Sequence, residues 1–130
     1  MAISSFVIYW LAGLLEGEGC FSGRQAGHNP IIQLVMTDPD VVIKAAKLLG
    51  AYRVIKAKPP QVGNKAIYRT VIYGHNAMGW MMTLYSLLGL RRQEKITTLL
   101  NEWKNKKHRQ YPERRSPSRG EEVVYESAGG

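Results

Sequence analysis

Cysteine and histidine are scarce in this sequence. Cys20 is the only cysteine in 130 residues, which excludes an internal disulfide and every zinc site that needs paired thiolates. His28, His75 and His108 are too widely scattered to form a metal site or a catalytic pair, and are expected in loops or at the surface. A reducing compartment fits this composition, so we expect an intracellular protein of the cytoplasm, nucleoid or organelle interior.

Long hydrophobic runs and a targeting segment are also lacking. The apolar run from Phe6 to Leu15 is too short to cross a bilayer, which needs roughly 20 residues. The first residues show neither the basic region nor the small-residue cleavage site of a signal peptide. The sequence therefore predicts a buried helix here, no membrane contact and no secretion.

Acidic residues are few relative to basic ones. The chain has 18 Lys and Arg against 10 Asp and Glu, a formal charge of +8. Such an excess favours an extended polyanionic partner, for which nucleic acid is the leading candidate. With 45% hydrophobic residues the chain can bury a core, and its length corresponds to one domain.

Helix and strand patterns alternate along the chain in the order α-ββ-α-ββ-α-α. Serine caps, Pro39 at a helix start and glycine stops at Gly50 and Gly89 mark the boundaries. We expect an α+β domain over residues 1–107, with a four-stranded antiparallel sheet covered by helices on one face. Residues 108–130 are polar and rich in breakers, and are predicted to be disordered. Their basic part is either an electrostatic arm on DNA flanks or a solvated chain end.

The open face of the predicted sheet follows from the period of two residues along a strand. Polar and basic side chains collect there, and such a ribbon fits the major groove of DNA. Alternatively, strand lysines only solvate the face and deter edge pairing. The residues predicted to contact DNA are Ser22, Arg24, Gln33, Lys56, Lys58, Lys65 and Arg69, with His28 in the first hairpin turn.

The segment Leu11–Gly19 reads Leu-Ala-Gly-Leu-Leu-Glu-Gly-Glu-Gly. Its small residues would let a second helix approach closely. Glu16 and Glu18 lie at the helix C-terminus, where negative charge is unfavourable. Carboxylates converging across a two-fold axis would offset this by binding a hard divalent cation. The alternative is that both glutamates are simply solvated.

These nine residues resemble the signature of the LAGLIDADG homing endonucleases, with both acids present as Glu. The resemblance implies a saddle-shaped sheet on double-stranded DNA, metal-dependent cleavage of a long pseudo-palindromic site, and a role in intron mobility or as a free-standing homing gene. It also implies that Glu18 and the Gly17 carbonyl hold Mg²⁺, for which Mn²⁺ substitutes. A single motif implies a homodimer. The residues expected at the dimer interface are Leu11, Ala12, Gly13, Leu14 and Glu16.

The sequence departs from the family pattern in two places. The eighth motif position more often holds Asp, one methylene shorter than Glu18. At the start of the second helix, Met36, Thr37 and Asp38 offer no Gln or Lys. At the start of the last helix, Lys95 or Arg92 is the predicted catalytic cation, although either could be a phosphate contact or a surface charge.

Two functions are compatible with this pattern. One is a site-specific DNA endonuclease. The other is a non-cleaving module on the same fold, either an RNA maturase or a DNA-binding regulator. Relatives of the second kind usually lose the acid at the eighth motif position. Because Glu18 is present, the sequence favours cleavage.

Overall fold

The computed structural model describes residues 4–24, 29–57, 65–105 and 121–126. Within these residues, four helices, one 3₁₀ turn and five strands follow one another. They are α1 (Ser5–Glu18), β1 (Gly19–Arg24), β2 (Asn29–Met36), α2 (Pro39–Leu49), β3 (Arg53–Ala57), β4 (Ile67–Tyr73), α3 (Gly74–Leu84), the 3₁₀ turn Tyr85–Leu87, α4 (Leu90–Asn105) and β5 (Glu121–Glu126).

Helix α1 begins and ends as the sequence predicts. The Ser4 hydroxyl accepts a hydrogen bond from the Val7 amide at 3.4 Å, and so satisfies one of the free donors of the first turn. At the other end the chain passes directly from Glu18 into β1. A Cβ on Gly19 would lie 2.8 Å from both the side chain and the carbonyl oxygen of Leu15. Only glycine fits this close helix-to-strand junction.

The strands form one antiparallel sheet in the order β1-β2-β4-β3-β5. The two predicted hairpins, β1 with β2 and β3 with β4, therefore join through β2 and β4. The first four strands give the α+β, four-stranded LAGLIDADG architecture that the sequence predicts. Helix α3 ends at Leu84, where the 3₁₀ turn follows and leads to the predicted stop at Gly89.

All four helices pack on one face of the sheet, and the main core lies beneath them. Alternate strand residues point into it, including Phe21, Ile32, Leu34, Val54 and Ile72. Thr70 is the one buried polar residue among the described positions. Its hydroxyl donates to the Arg53 carbonyl at 3.0 Å, which offsets its burial.

Helix α2 ends in a hydrogen-bonded cap that joins it to α3. Gly50 takes the left-handed conformation, with φ of 73°, which favours glycine. The Leu49 carbonyl then accepts hydrogen bonds from the Asn76 amide at 3.0 Å and the Trp80 indole at 3.2 Å. Side chains of α3 thus bond a carbonyl that has no partner within α2.

The C-terminal segment contains a strand that the sequence analysis missed. Residues 108–130 were predicted to be disordered, but Glu121–Glu126 pairs antiparallel with β3 as β5, so the prediction is wrong for this stretch. Its Val-Val-Tyr run favours strand, and β3 offers an edge with unpaired backbone groups. Residues 106–120 and 127–130 lie outside the described part of the chain.

Candidate active site and nucleic-acid interface

The junction between α1 and β1 presents one carboxylate and a neighbouring main-chain carbonyl at the surface. Glu18 is the last residue of α1 and is exposed, as are Gly17 and Cys20 on either side of the junction. Carbonyl oxygens in the last turn of a helix have no partner within the helix. The junction therefore carries hard oxygen donors of the type that Mg²⁺ prefers.

A basic groove of about 480 Å³ begins at the residue after Glu18. Arg91 and Lys95 are one helical turn apart on α4 and are both exposed. Two cations at this spacing, near the positive end of a helix, repel each other and favour an anion between them. The residues that line the groove are Gly19, Cys20, Phe21, Arg91, Arg92, Glu94, Lys95 and Thr98.

Arg92 and Glu16 join α4, which lines this groove, to the last turn of α1. The Arg92 guanidinium donates to the Glu16 main-chain oxygen at 2.9 Å and approaches its carboxylate at 3.3 Å. The Glu16 carboxylate also accepts the Gly89 amide at 2.6 Å, just before α4 begins. The Glu16 carboxylate therefore lies at the N-terminus of α4, where negative charge is favourable. Arg92 is occupied by these bonds and by the Phe21 ring, 5.5 Å away, which leaves Lys95 as the stronger catalytic candidate.

The open face of the sheet is less basic than the sequence predicts. Its central rows hold Gln33 beside Val71, and Arg69 between Val35 and Ile55. Ser22 and Cys20 lie on the same face, because they pair with Ile31 and Gln33. The predicted placement of Ser22, Gln33 and Arg69 is correct, whereas their contact with DNA remains a prediction.

The predicted position of Lys56 on this open face is wrong. Lys56 alternates in phase with Val54, which is fully buried beneath the helices, and it pairs with Tyr68. Either phase of β3 combines a basic residue with an aliphatic one, so the pattern alone could not decide between them. The structure places Arg53 and Ile55 on the open face instead, and the sequence reasoning missed both.

The remaining predicted DNA contacts are only partly described. The backbone of Arg24 ends β1 opposite Asn29. Lys65 is exposed and precedes β4 rather than lying within it. Lys58 and His28 fall outside the described residues.

The outer face of α1 differs from the predicted dimer interface. Leu11 and Ala12 are buried in the protein's own core, with 0% and 4% of their surfaces exposed, so the prediction that they contact a partner is wrong. The core takes the face of α1 that carries Leu11 and Leu15. The opposite face exposes Phe6, Tyr9, Gly13 and Gly17, and a Cβ on either glycine would meet no atom within 4 Å.

Across the described residues, no group of three or more His, Cys, Asp or Glu side chains is arranged to hold a metal ion. Within the same residues, no helix is long and apolar enough to span a membrane. One chain thus offers the exposed Glu18 carboxylate at the junction, while the Glu16 carboxylate is bonded to Gly89 and Arg92.

Comparisons with known proteins give a structural likeness without a sequence match. Neither protein-family models nor curated protein sequences match the chain. The homing endonuclease I-CvuI in complex with its DNA target has a TM-score of 0.52 at 17% identity, covering 75% of this chain and 66% of that one. The archaeal intron-encoded homing endonuclease I-Vdi141I, complexed with DNA, has a TM-score of 0.57 at 16% identity, over 75% and 67% of the two chains.

A third solved structure extends the likeness. The group I intron-encoded homing endonuclease I-CeuI, complexed with DNA, has a TM-score of 0.55 at 14% identity and covers 78% of this chain and 55% of that one. The chain spans about two thirds of I-CvuI and of I-Vdi141I. At these identities the likeness establishes the fold, which is that of the LAGLIDADG homing endonucleases.

Proposed function

We propose that this chain is a sequence-specific endonuclease that cleaves a long, pseudo-palindromic site in double-stranded DNA as a homodimer. The observation that carries the proposal is the position of Glu18. It is the acid at the eighth place of the motif, and it is exposed where α1 meets β1, next in the chain to Gly19 and Cys20, which line the basic groove. The structural neighbours are homing endonucleases complexed with DNA, which supports this proposal.

The donors at the junction fit a divalent cation. Glu18 and the main-chain carbonyl of Gly17 would hold Mg²⁺ or Mn²⁺ as hard oxygen ligands. Such an ion activates water and neutralises phosphate charge when it is bound. Because the Glu16 carboxylate is already bonded to Gly89 and Arg92, one chain would contribute one motif carboxylate, Glu18, and two chains related by a two-fold axis would supply the pair.

The groove residues on α4 have separate proposed roles. Lys95 would contact the scissile phosphate and stabilise the negative charge that builds up there, and Arg91 would bind a flanking phosphate. Arg92 is a positioning residue, because it fixes the end of α1 and therefore the place of Glu18. Together, Arg91 and Lys95 would align the DNA backbone with the Glu18 carboxylate.

The exposed face of α1 is the proposed dimer interface. Gly13 and Gly17 are one turn apart and leave space against which a second α1 could pack closely. Phe6 and Tyr9 expose 86% and 62% of their surfaces on the same face. Burying these rings would give the dimer an apolar contact, and two-fold symmetry of the protein would be mirrored in the DNA site.

A cleavage selection tests the proposal. The wild type and Glu18→Gln are each offered a randomised duplex library with Mg²⁺ and, separately, with Ca²⁺. We expect cut molecules that share a pseudo-palindrome only with wild type and Mg²⁺, while Glu18→Gln binds the same duplexes uncut. Binding without cutting under every condition would instead identify a binding module, and the maturase or regulator would replace the nuclease.

A further inference from the structure

The open face of the sheet carries aliphatic side chains beside its polar ones. Val35, Ile55 and Val71 all lie on it, on three strands, and each is only half-buried. Gln33 is half-buried beside Val71, its cross-strand partner. Exposed side chains of this kind favour a partner with apolar groups of its own.

The major groove of DNA has one apolar group among its base-pair edges. This is the C5-methyl of thymine, whereas cytosine carries only a hydrogen at the same position and the polar groups of the edges are hydrogen-bond donors or acceptors. A glutamine side chain pairs with adenine through N6 and N7, the partner base of that thymine. Directly opposed residues in a sheet have Cβ atoms roughly 5 Å apart, close enough for two side chains to act on adjacent base edges.

We propose that this open face recognises A·T pairs through their thymine methyl groups, with Val71 as the principal methyl contact and Gln33 as the adenine contact. Val35 and Ile55 extend the apolar contact to a neighbouring base pair. The inference rests on the proposed function, because it gives the chemical preference of the same DNA surface. It assigns specificity to aliphatic residues that the strand pattern alone did not indicate.

Uracil in place of thymine tests the proposal, because it removes the methyl group and leaves every hydrogen-bonding group unchanged. Duplexes that bind wild type are selected from a randomised library, and each thymine is then replaced singly by uracil. We expect A·T pairs at shared positions of the selected duplexes, and a loss of affinity of about fourfold for each contacted methyl group.

Val71→Ser then links the effect to the residue. This variant removes both methyl groups of the side chain. If Val71 contacts a thymine methyl, the loss of affinity on replacing that thymine by uracil should fall to less than about 1.5-fold in the variant, because in a double-mutant cycle the two changes remove the same contact. Val41→Ser on α2, behind the sheet, is the matched control and should keep the full penalty.

The outcomes separate this inference from the proposed function. If duplexes with thymine and with uracil bind and are cut equally well, the proposal that the open face recognises thymine methyl groups is overturned, while the nuclease proposal stands. A uracil penalty that persists unchanged in Val71→Ser also overturns it, because the methyl contact then lies elsewhere. If no duplex is selected at all, both proposals fail.

Discussion

Arg92 bonds both the main-chain oxygen and the carboxylate of Glu16, and so joins the end of α1 to the start of α4. The arginine side chain is 14% exposed and the glutamate 41% exposed. Since Glu18 follows Glu16 by two residues and Lys95 follows Arg92 by three, this pair sets the relative position of the two proposed active-site residues.

Arg92→Lys should destabilise the protein by about 1 to 2 kcal/mol. Lysine cannot reach both the main-chain oxygen and the carboxylate of Glu16 with the geometry of a guanidinium. Hydrogen bonds to charged groups contribute about 1.5–3 kcal/mol, and the value is lower here because the Glu16 carboxylate is partly exposed to solvent. Thermal unfolding measures the effect, and Arg91→Lys, at the exposed neighbouring position, should leave the midpoint unchanged. An unchanged midpoint for Arg92→Lys together with lost cleavage would make Arg92 catalytic instead.

Lys95→Met should reduce the rate of DNA cleavage by about 10²- to 10³-fold, the usual effect of removing one group that stabilises transition-state charge. Single-turnover cleavage of bound DNA measures the rate, while a binding titration and thermal unfolding should change little. Lys104→Met, at an exposed position of α4 away from the groove, is the control. A Lys95→Met rate within twofold of wild type would assign Lys95 to the protein surface.

Gly13→Leu should convert the proposed dimer to a folded monomer. A Cβ at this position meets no atom within 4 Å, and the leucine side chain would fill the space into which a second α1 is proposed to pack. Sedimentation gives the mass. Gly79→Leu, at an exposed glycine of α3 with equally open surroundings, should stay dimeric. If both variants remain dimers, the interface is not on this face of α1.

Deleting residues 121–130 should lower the stability by about 1 to 2 kcal/mol, because a handful of main-chain hydrogen bonds along β3 are lost at about 1 kcal/mol each and partly offset by chain entropy. The β3 edge would also be free to pair with other chains. Urea unfolding and light scattering measure both effects, with deletion of residues 127–130 as the control. Identical unfolding curves for the two deletions would mean that β5 adds nothing to stability.

Patterns that repeat along the chain allowed much of the fold to be predicted from the sequence. Ser4, Pro39 and Gly50 mark helix boundaries through their own backbone and side-chain chemistry, so α1 and α2 were located nearly to the residue. The nine-residue motif pointed to Glu18 only through its resemblance to the family signature, since two glutamates at a helix end are explained equally well as solvated residues.

Features that depend on contact between distant segments required the tertiary structure. The residue pattern of β3 is compatible with either set of alternate residues facing the helices. Only the burial of Val54 under the helices shows that Lys56 does not lie on the open face. Segment β5 carries too weak a signal by itself, and it becomes a strand through the free edge of β3. The sequence by itself determined the local elements, since backbone preferences and caps act over a few residues. Only the tertiary structure decided which face each side chain of β3 joins, that Arg92 bonds Glu16, and that Val71 and Ile55 share the open face with Gln33 and Arg69. These features depend on packing between segments far apart in the chain.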